Sequence, residues 1–207
     1  MKKCSAALLF GLFAVGLFLL GNLLFFRPFS IDAFYTRSFA KFALEKPQML
    51  SSLHILEQYG IKFHQSRLDD ESEAHHDKSL ADFKHVLKDL KEYDTSKFTP
   101  DQKNNFDAFE RFITDSIESS DRWRYHNYPL NQLSGIQSDF PSFMDSVHQV
   151  HTHGDAQDYV ARLSQVHTQF TQVLEGLELR EQKGIIPPRF VITKVLDEMK
   201  DFIRVAP

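Results

Sequence analysis

The residues best suited to chemistry in this chain form a short histidine cluster. His148, His151 and His153 are followed by Asp155, and imidazole and carboxylate groups are ligands that zinc accepts. The spacing fits neither a zinc finger nor the HExxH motif of metallopeptidases, and no glutamate stands between the histidines to activate a bound water. Gly154 also suggests that His153 lies in a connector. We interpret the cluster as polar surface, with a metal site as the weaker alternative.

Three other groups of residues have both a chemical and a structural interpretation. His75 and His76 are adjacent in an acidic loop, so their side chains point apart. The acidic residues 69–73 lack the ligand alternation and the glycine of a calcium loop, which favours a solvated loop. Residues 123–128 place aromatic rings beside cations; this could line a ligand cleft, but we favour a loop pinned onto the helices. We therefore predict no catalytic, cofactor-binding or metal-binding residues in this chain.

Composition limits the class of protein. A hydrophobic content of 42% with 25% charged residues is that of a folded chain, which argues against disorder throughout. Because there are 20 phenylalanines but only 8 glycines and 8 prolines, packed helices are favoured over a turn-rich β fold. The net charge of −4 gives no electrostatic basis for a nucleic-acid partner. The single cysteine, Cys4, excludes an intrachain disulfide, and it precedes the apolar run instead of following it as in a lipoprotein.

That apolar run, residues 6–26, predicts a membrane segment. It is uncharged and apolar except for Asn22, and a helix of this length spans about 30 Å, the thickness of the hydrocarbon core. No small-residue cleavage site follows it, so we favour an uncleaved signal anchor over a removed signal peptide. Lys2 and Lys3 precede the run, which favours a cytoplasmic N-terminus. We predict two parts: an anchor over residues 1–27 and a helical domain over residues 28–207.

Apolar periodicity predicts helices throughout the second part. Pro47 begins a helix closed by Gly60, a second helix carries apolar residues from Leu80 to Leu90, and Thr99 with Pro100 reads as a capping box. Residues 65–77 and 121–139 are predicted loops. The fold class is thus all-α: an N-terminal transmembrane helix followed by an irregular bundle of amphipathic helices.

The last two helices have the clearest patterns. Asp155 is the predicted cap of a long helix that ends at Gly184. Its apolar stripe predicts a core formed by Tyr159, Leu163, Val166, Phe170, Val173 and Leu177. Pro187 and Pro188 separate it from a final helix whose apolar residues are Phe190, Val191, Val195, Met199 and Phe202.

Several short stretches, in their order and spacing, resemble one bacterial family. They are residues 47–60, 67–70, the helix after Thr99 and Pro100, and residues 128–135, 158–163 and 184–188. Together they extend over nearly the whole soluble part, which resembles the family catalogued as domain of unknown function 885. Members of that family are typically longer, helical, often exported, and look like zinc-dependent peptidases. Their HExxH-type motif lies beyond the region that this chain resembles.

The resemblance implies a function without supplying a catalytic residue. The expected function is the N-terminal helical portion of a membrane-anchored, peptidase-like protein, inactive by itself; whether the chain counts as an enzyme stays open. Zinc is expected only in full-length members. The alternative is a stand-alone, membrane-tethered helical binding or scaffold module. The expected partners are the membrane and a separate C-terminal half. The expected location is the bacterial inner membrane with the domain in the periplasm, or the periplasm alone if the signal is cleaved.

Overall fold

The described part of the chain is built from α-helices joined by turns and short 3₁₀ segments. The computed structural model describes residues 13, 15–18, 21–22 and 26–204, and none of these lies in a β-strand. The all-α prediction is therefore confirmed. From residue 31 onward the α-helices are α1 (Ile31–Leu44), α2 (Pro47–Leu53), α3 (Glu73–Leu90), α4 (Pro100–Asp121), α5 (Ile136–Ser146), α6 (His153–Gln182) and α7 (Arg189–Arg204).

The predicted membrane segment, residues 6–26, falls mostly outside the described residues. Across the ranges that are described, no helix combines the length and the apolar character needed to cross a bilayer. The division into an anchor and a domain after residue 27 stays a prediction.

The helix that begins at Pro47 is shorter than predicted. It ends at Leu53, because His54 adopts a left-handed backbone conformation with a φ of 50°. A 3₁₀ turn, Glu57–Tyr59, follows and is closed by Gly60 at a φ of 74°, a conformation that glycine adopts at little cost. The chain therefore leaves the helix early.

One hydrophobic core lies between α1, α3 and α4. Ile31, Phe34, Leu90 and Phe106 are buried together in it, and Tyr93 packs edge-on against Phe34 with ring centroids 5.5 Å apart. The predicted capping box begins α4: the Gln102 amide donates to Thr99 Oγ1 at 3.2 Å, and the Thr99 amide donates to Gln102 Oε1 at 3.1 Å. Further along α4, Ile113 is buried whereas its neighbour Phe112 is exposed.

A second core joins α5 to α6 and corrects the prediction for α6. Leu68, Phe140, Phe143 and Met144 are buried there, with Tyr159, Val166 and Phe170 packed against them. Leu163 was predicted to belong to this core, but 45% of it is exposed. Its neighbour Arg162 is fully buried instead. The buried face of α6 therefore differs from the predicted apolar stripe and includes polar residues such as Arg162 and Gln169.

The ends of α6 also differ in one respect from the prediction. Thr152 is the N-cap, and Asp155 is the third helical residue, closing a capping box with it. At the other end Gly184 has a φ of 72°, so the predicted glycine stop is confirmed. Beyond it, α7 buries Val191 and Val195 while Phe190 and Phe202 are exposed.

Candidate functional site

The most distinctive polar arrangement is a row of side chains on α6 that faces residues 64–71. Its members are Arg162, Gln165, Gln169 and Gln172, and their spacing of three, four and three residues places them on one helix face. We call these four residues the α6 polar row. Residues 64–71 form a connection without regular structure, so their backbone groups depend on side chains for hydrogen bonds.

Arg162 is the first member of the row and has no exposed surface. Its Nε donates to the Arg67 carbonyl at 2.9 Å, and Nη2 donates to the His64 carbonyl at 3.0 Å and to Ser51 Oγ at 2.5 Å. Its Nη1 donates to His148 Nδ1 at 2.6 Å. Every nitrogen of the guanidinium therefore contacts an acceptor, and the side chain ties three segments of the chain together.

The positive charge of Arg162 is surrounded by neutral acceptors. Among the described residues no carboxylate bonds to the guanidinium, which lies over the Phe143 ring at 4.8 Å from the centroid. Burial lowers the pKa of Arg162 to about 10, although the fields of Asp158 and Asp69 oppose this change. The side chain is thus still charged at neutral pH, and the charge is isolated from water.

His148 completes the surroundings of Arg162 and corrects the interpretation of the histidine cluster as polar surface. Only 6% of His148 is exposed. Because a guanidinium can only donate, Nδ1 of His148 must accept; its proton is then on Nε2, which donates to the Asp155 carbonyl at 3.1 Å. Burial lowers the pKa of His148, and the charge of Arg162 lowers it further. This histidine is therefore a neutral hydrogen-bond bridge.

The other members of the cluster are arranged separately. His151 and His153 are exposed. The Asp155 carboxylate accepts from Lys62 Nζ at 2.6 Å and from the Thr152 amide at 2.9 Å, and its bond from Lys62 is the main reason that its pKa lies far below the usual range. Within the described ranges, no three His, Cys, Asp or Glu side chains are grouped so that they could hold a metal ion.

The three glutamines of the α6 polar row bond to the backbone of the same segment. Gln165 donates to the Ser66 carbonyl at 2.6 Å and accepts from the Leu68 amide at 3.2 Å. Gln169 donates to the Asp69 carbonyl at 3.1 Å, and Gln172 accepts from the Glu71 amide at 3.0 Å. The segment is therefore attached to α6 along its length.

The acidic loop predicted to be solvated is consequently ordered by contacts. Asp69 Oδ1 accepts from the backbone N–H of Gln48 at 3.0 Å, and the Gln48 side-chain oxygen Oε1 accepts from the backbone N–H of Asp69 at 2.9 Å. Burial raises the pKa of Asp69. His75 and His76 also lie in the first turn of α3 instead of in a loop, and burial lowers the pKa of His76.

A second polar cluster fixes residues 123–128, as the loop interpretation predicted. Arg124 donates to Glu73 Oε2 and to Asp77 Oδ1, each at 2.5 Å. The guanidiniums of Arg124 and Arg180 lie 5.6 and 5.7 Å from the centroid of the Tyr125 ring. The predicted aromatic attachment is thus made through cations that surround one tyrosine.

Two apolar depressions lie on the described surface. A groove of about 620 Å³ lies between α1, α3 and α4, and its wall includes Phe42 and Phe83. A smaller depression of about 280 Å³ lies between the end of α6 and α7, and its wall includes Ile192 and Leu196.

Sequence reasoning missed the α6 polar row, although a signal for it was present. Arg162, Gln165, Gln169 and Gln172 recur at helical spacing in the same way as the apolar stripe beside them. Such a polar stripe has two interpretations. It can face water, or it can face another part of the chain and bind the backbone groups there.

These features define a class of protein: an all-helical domain in which buried polar side chains order a long connection. The model of the family described as "Bacterial protein of unknown function (DUF885)" matches residues 55–207, more than half of the chain. The chain belongs to this family. The search of curated proteins found no match. The search of solved structures found none either.

Proposed function

We propose that this chain is the helical, non-catalytic portion of a membrane-anchored, peptidase-like protein. The observation that carries the proposal is the inward orientation of the Arg162 cluster. The guanidinium of Arg162 and the ring of His148 bond to groups within the domain. They therefore hold parts of the domain together and do not face a substrate. The proposal also rests on the resemblance described above, which implies a peptidase-like motif outside residues 55–207, the part of the chain that the family model matches.

The proposal assigns the anchoring to residues 6–26 and the periplasm to the domain that follows. Its support is the uncharged run of spanning length behind Lys2 and Lys3. Extraction of membranes with carbonate tests this part. The chain should stay in the membrane pellet, whereas recovery in the soluble periplasmic fraction would favour a cleaved signal.

The catalytic part of the proposal is tested by assaying the purified, tag-free chain against a mixture of unstructured peptides, with and without added zinc. No turnover above buffer is expected, because an activated water needs a metal or base directed at substrate. Turnover that disappears in His151→Ala or His153→Ala would contradict the proposal. These exposed residues can be replaced without disturbing the Arg162 cluster.

A second candidate function is a stand-alone, membrane-tethered binding or scaffold module. It is favoured by the apolar residues that α7 leaves uncovered. Ile192, Leu196 and Ile203 are 40, 49 and 71% exposed, and together with Met199 they recur at spacings of four, three and four residues, which suits the packing of another helix. The reading frames next to the coding sequence separate the two functions. A frame encoding HExxH supports the first, and its absence from the locus supports the second.

A further inference from the structure

We propose that His148 makes the attachment of residues 64–71 to α6 sensitive to acid. Neutral His148 keeps the segment attached through Arg162, and protonated His148 releases it. This inference concerns the fold of the domain and is independent of the function proposed above.

The hydrogen-bond geometry around His148 allows only the neutral ring. Nδ1 faces Nη1 of Arg162 at 2.6 Å, and Nε2 faces the Asp155 carbonyl at 3.1 Å. A proton added to Nδ1 would point at the N–H of the guanidinium, so two donors and two positive charges would face each other. Since neither group can accept a hydrogen bond, the contact must break.

The charged groups around His148 do not compensate a second positive charge at this place. On α6 they are Arg162, Asp155 and Asp158; Asp155 offers its carbonyl to His148, while its carboxylate is bonded to Lys62. Asp158 acts on His148 and on Arg162 only through its electrostatic field. The remaining neighbour from α6 is the Tyr159 ring, 5.2 Å from the His148 ring.

The other elements add charges around Arg162 instead of around His148. From the 54–71 connection come Glu57, which bonds to His64 at 2.8 Å, and Asp69, and the fields of both carboxylates act on Arg162. Helix α2 contributes Ser51, and α5 contributes the ring of Phe143. A proton on His148 therefore meets a guanidinium at contact distance and no carboxylate in contact.

Loss of the His148 contact affects the segment because Arg162 also bonds to the segment. The same guanidinium donates to the carbonyls of His64 and Arg67, next to the buried side chain of Leu68. When the guanidinium moves away from His148, these two bonds are strained together with it. The released state is the one in which residues 64–71 separate from α6 and His148 gains access to water.

Burial lowers the pKa of His148 in the closed state, and this gives the sign of the effect. The open state takes up the proton near the ordinary histidine pKa of about 6.5, so the closed state loses stability as the pH falls below that value. Between pH 7.5 and pH 5.0 the opening equilibrium rises by up to about 30-fold, provided that the closed form stays unprotonated.

Hydrogen exchange measured by mass spectrometry on the full chain tests the inference. Exchange is followed in peptides from residues 64–71 at pH 7.5 and pH 5.0 and normalised to the intrinsic rate at each pH. The Leu68 and Glu71 amides, which donate to Gln165 and Gln172, should lose at least about tenfold in protection at pH 5.0. Equal protection of the wild-type segment at both pH values would overturn the inference without any variant.

Variants then assign the effect to one histidine. His148→Asn keeps an acceptor near the position of Nδ1 but cannot be protonated, so its segment should stay protected at pH 5.0. His151→Asn replaces an exposed histidine of the same loop and should behave like the wild type. Loss of protection at pH 5.0 in folded His148→Asn would assign the effect to another group and overturn the inference. If circular dichroism shows that His148→Asn is unfolded at pH 7.5, His148→Gln replaces it under the same criteria.

Discussion

Replacing Arg162 with methionine is the most informative perturbation of the domain. Methionine fills a similar volume but donates no hydrogen bond. The change leaves four acceptors without their donor: the carbonyls of His64 and Arg67, Ser51 Oγ and His148 Nδ1. At about 1 kcal/mol for each orphaned acceptor, the loss is about 4 kcal/mol.

The same replacement also removes a buried charge, which acts in the opposite direction. Burial lowers the pKa of Arg162 from its ordinary value to about 10. At about 1.4 kcal/mol per pKa unit, relief of this penalty returns up to about 3 kcal/mol. The variant should therefore lose between about 1 and 4 kcal/mol of unfolding free energy, because the orphaned acceptors outweigh the relieved charge.

Urea unfolding followed by circular dichroism measures this change. The control is Arg111→Met, which removes an exposed arginine paired with Asp115 and should leave the unfolding midpoint nearly unchanged. Hydrogen exchange should show that the lost protection is concentrated in residues 64–71. Equal midpoints for the two variants, or an unchanged exchange rate in that segment, would refute the role of Arg162 in attaching it to α6.

Three further predictions follow from burial and capping. Phe34→Ala should lower the unfolding free energy by about 3–5 kcal/mol, because the ring is fully buried. Phe112→Ala should lower it by under about 1 kcal/mol, because that residue is 55% exposed. Equal losses of stability in thermal unfolding would contradict the placement of the first core. Thr99→Ala should cost about 1 kcal/mol, measured by urea unfolding, since it removes the cap of α4; no loss would argue against the capping box. The pKa of the Asp155 carboxylate is lowered in the folded chain, so the stability that it contributes is present above about pH 4 and is lost as the pH falls further. Asp155→Asn should therefore flatten the acid limb of the curve of unfolding free energy against pH. An acid limb that is unchanged in this variant would contradict the role of Asp155.

The helices were predictable because their signals are local. The capping box at Thr99, the proline at Pro47 and the glycine stop at Gly184 each act within one turn of the chain, and the structure has all three. The end of α2 was not predictable in the same way. It depends on a left-handed histidine, His54, which residue type alone does not favour.

The interior of the second core could not be predicted from hydrophobicity. The apolar stripe on α6 pointed to Leu163, but the buried residue is Arg162. Its burial depends on acceptors about a hundred positions away in the chain, in residues 51–67. For the same reason the sequence predicts polar surface at His148, since nothing next to it in the chain shows that a guanidinium contacts its ring.

We propose that this chain positions structure and does no zinc chemistry of its own. Zinc content of the purified, tag-free chain after dialysis against a buffer with trace zinc tests it most directly. We expect well under one zinc per chain, because His148 bonds to Arg162 and the Asp155 carboxylate bonds to Lys62, which leaves His151 and His153 as the exposed members of this cluster. One zinc per chain that is lost in the His151→Ala, His153→Ala double variant would show that the cluster is a metal site.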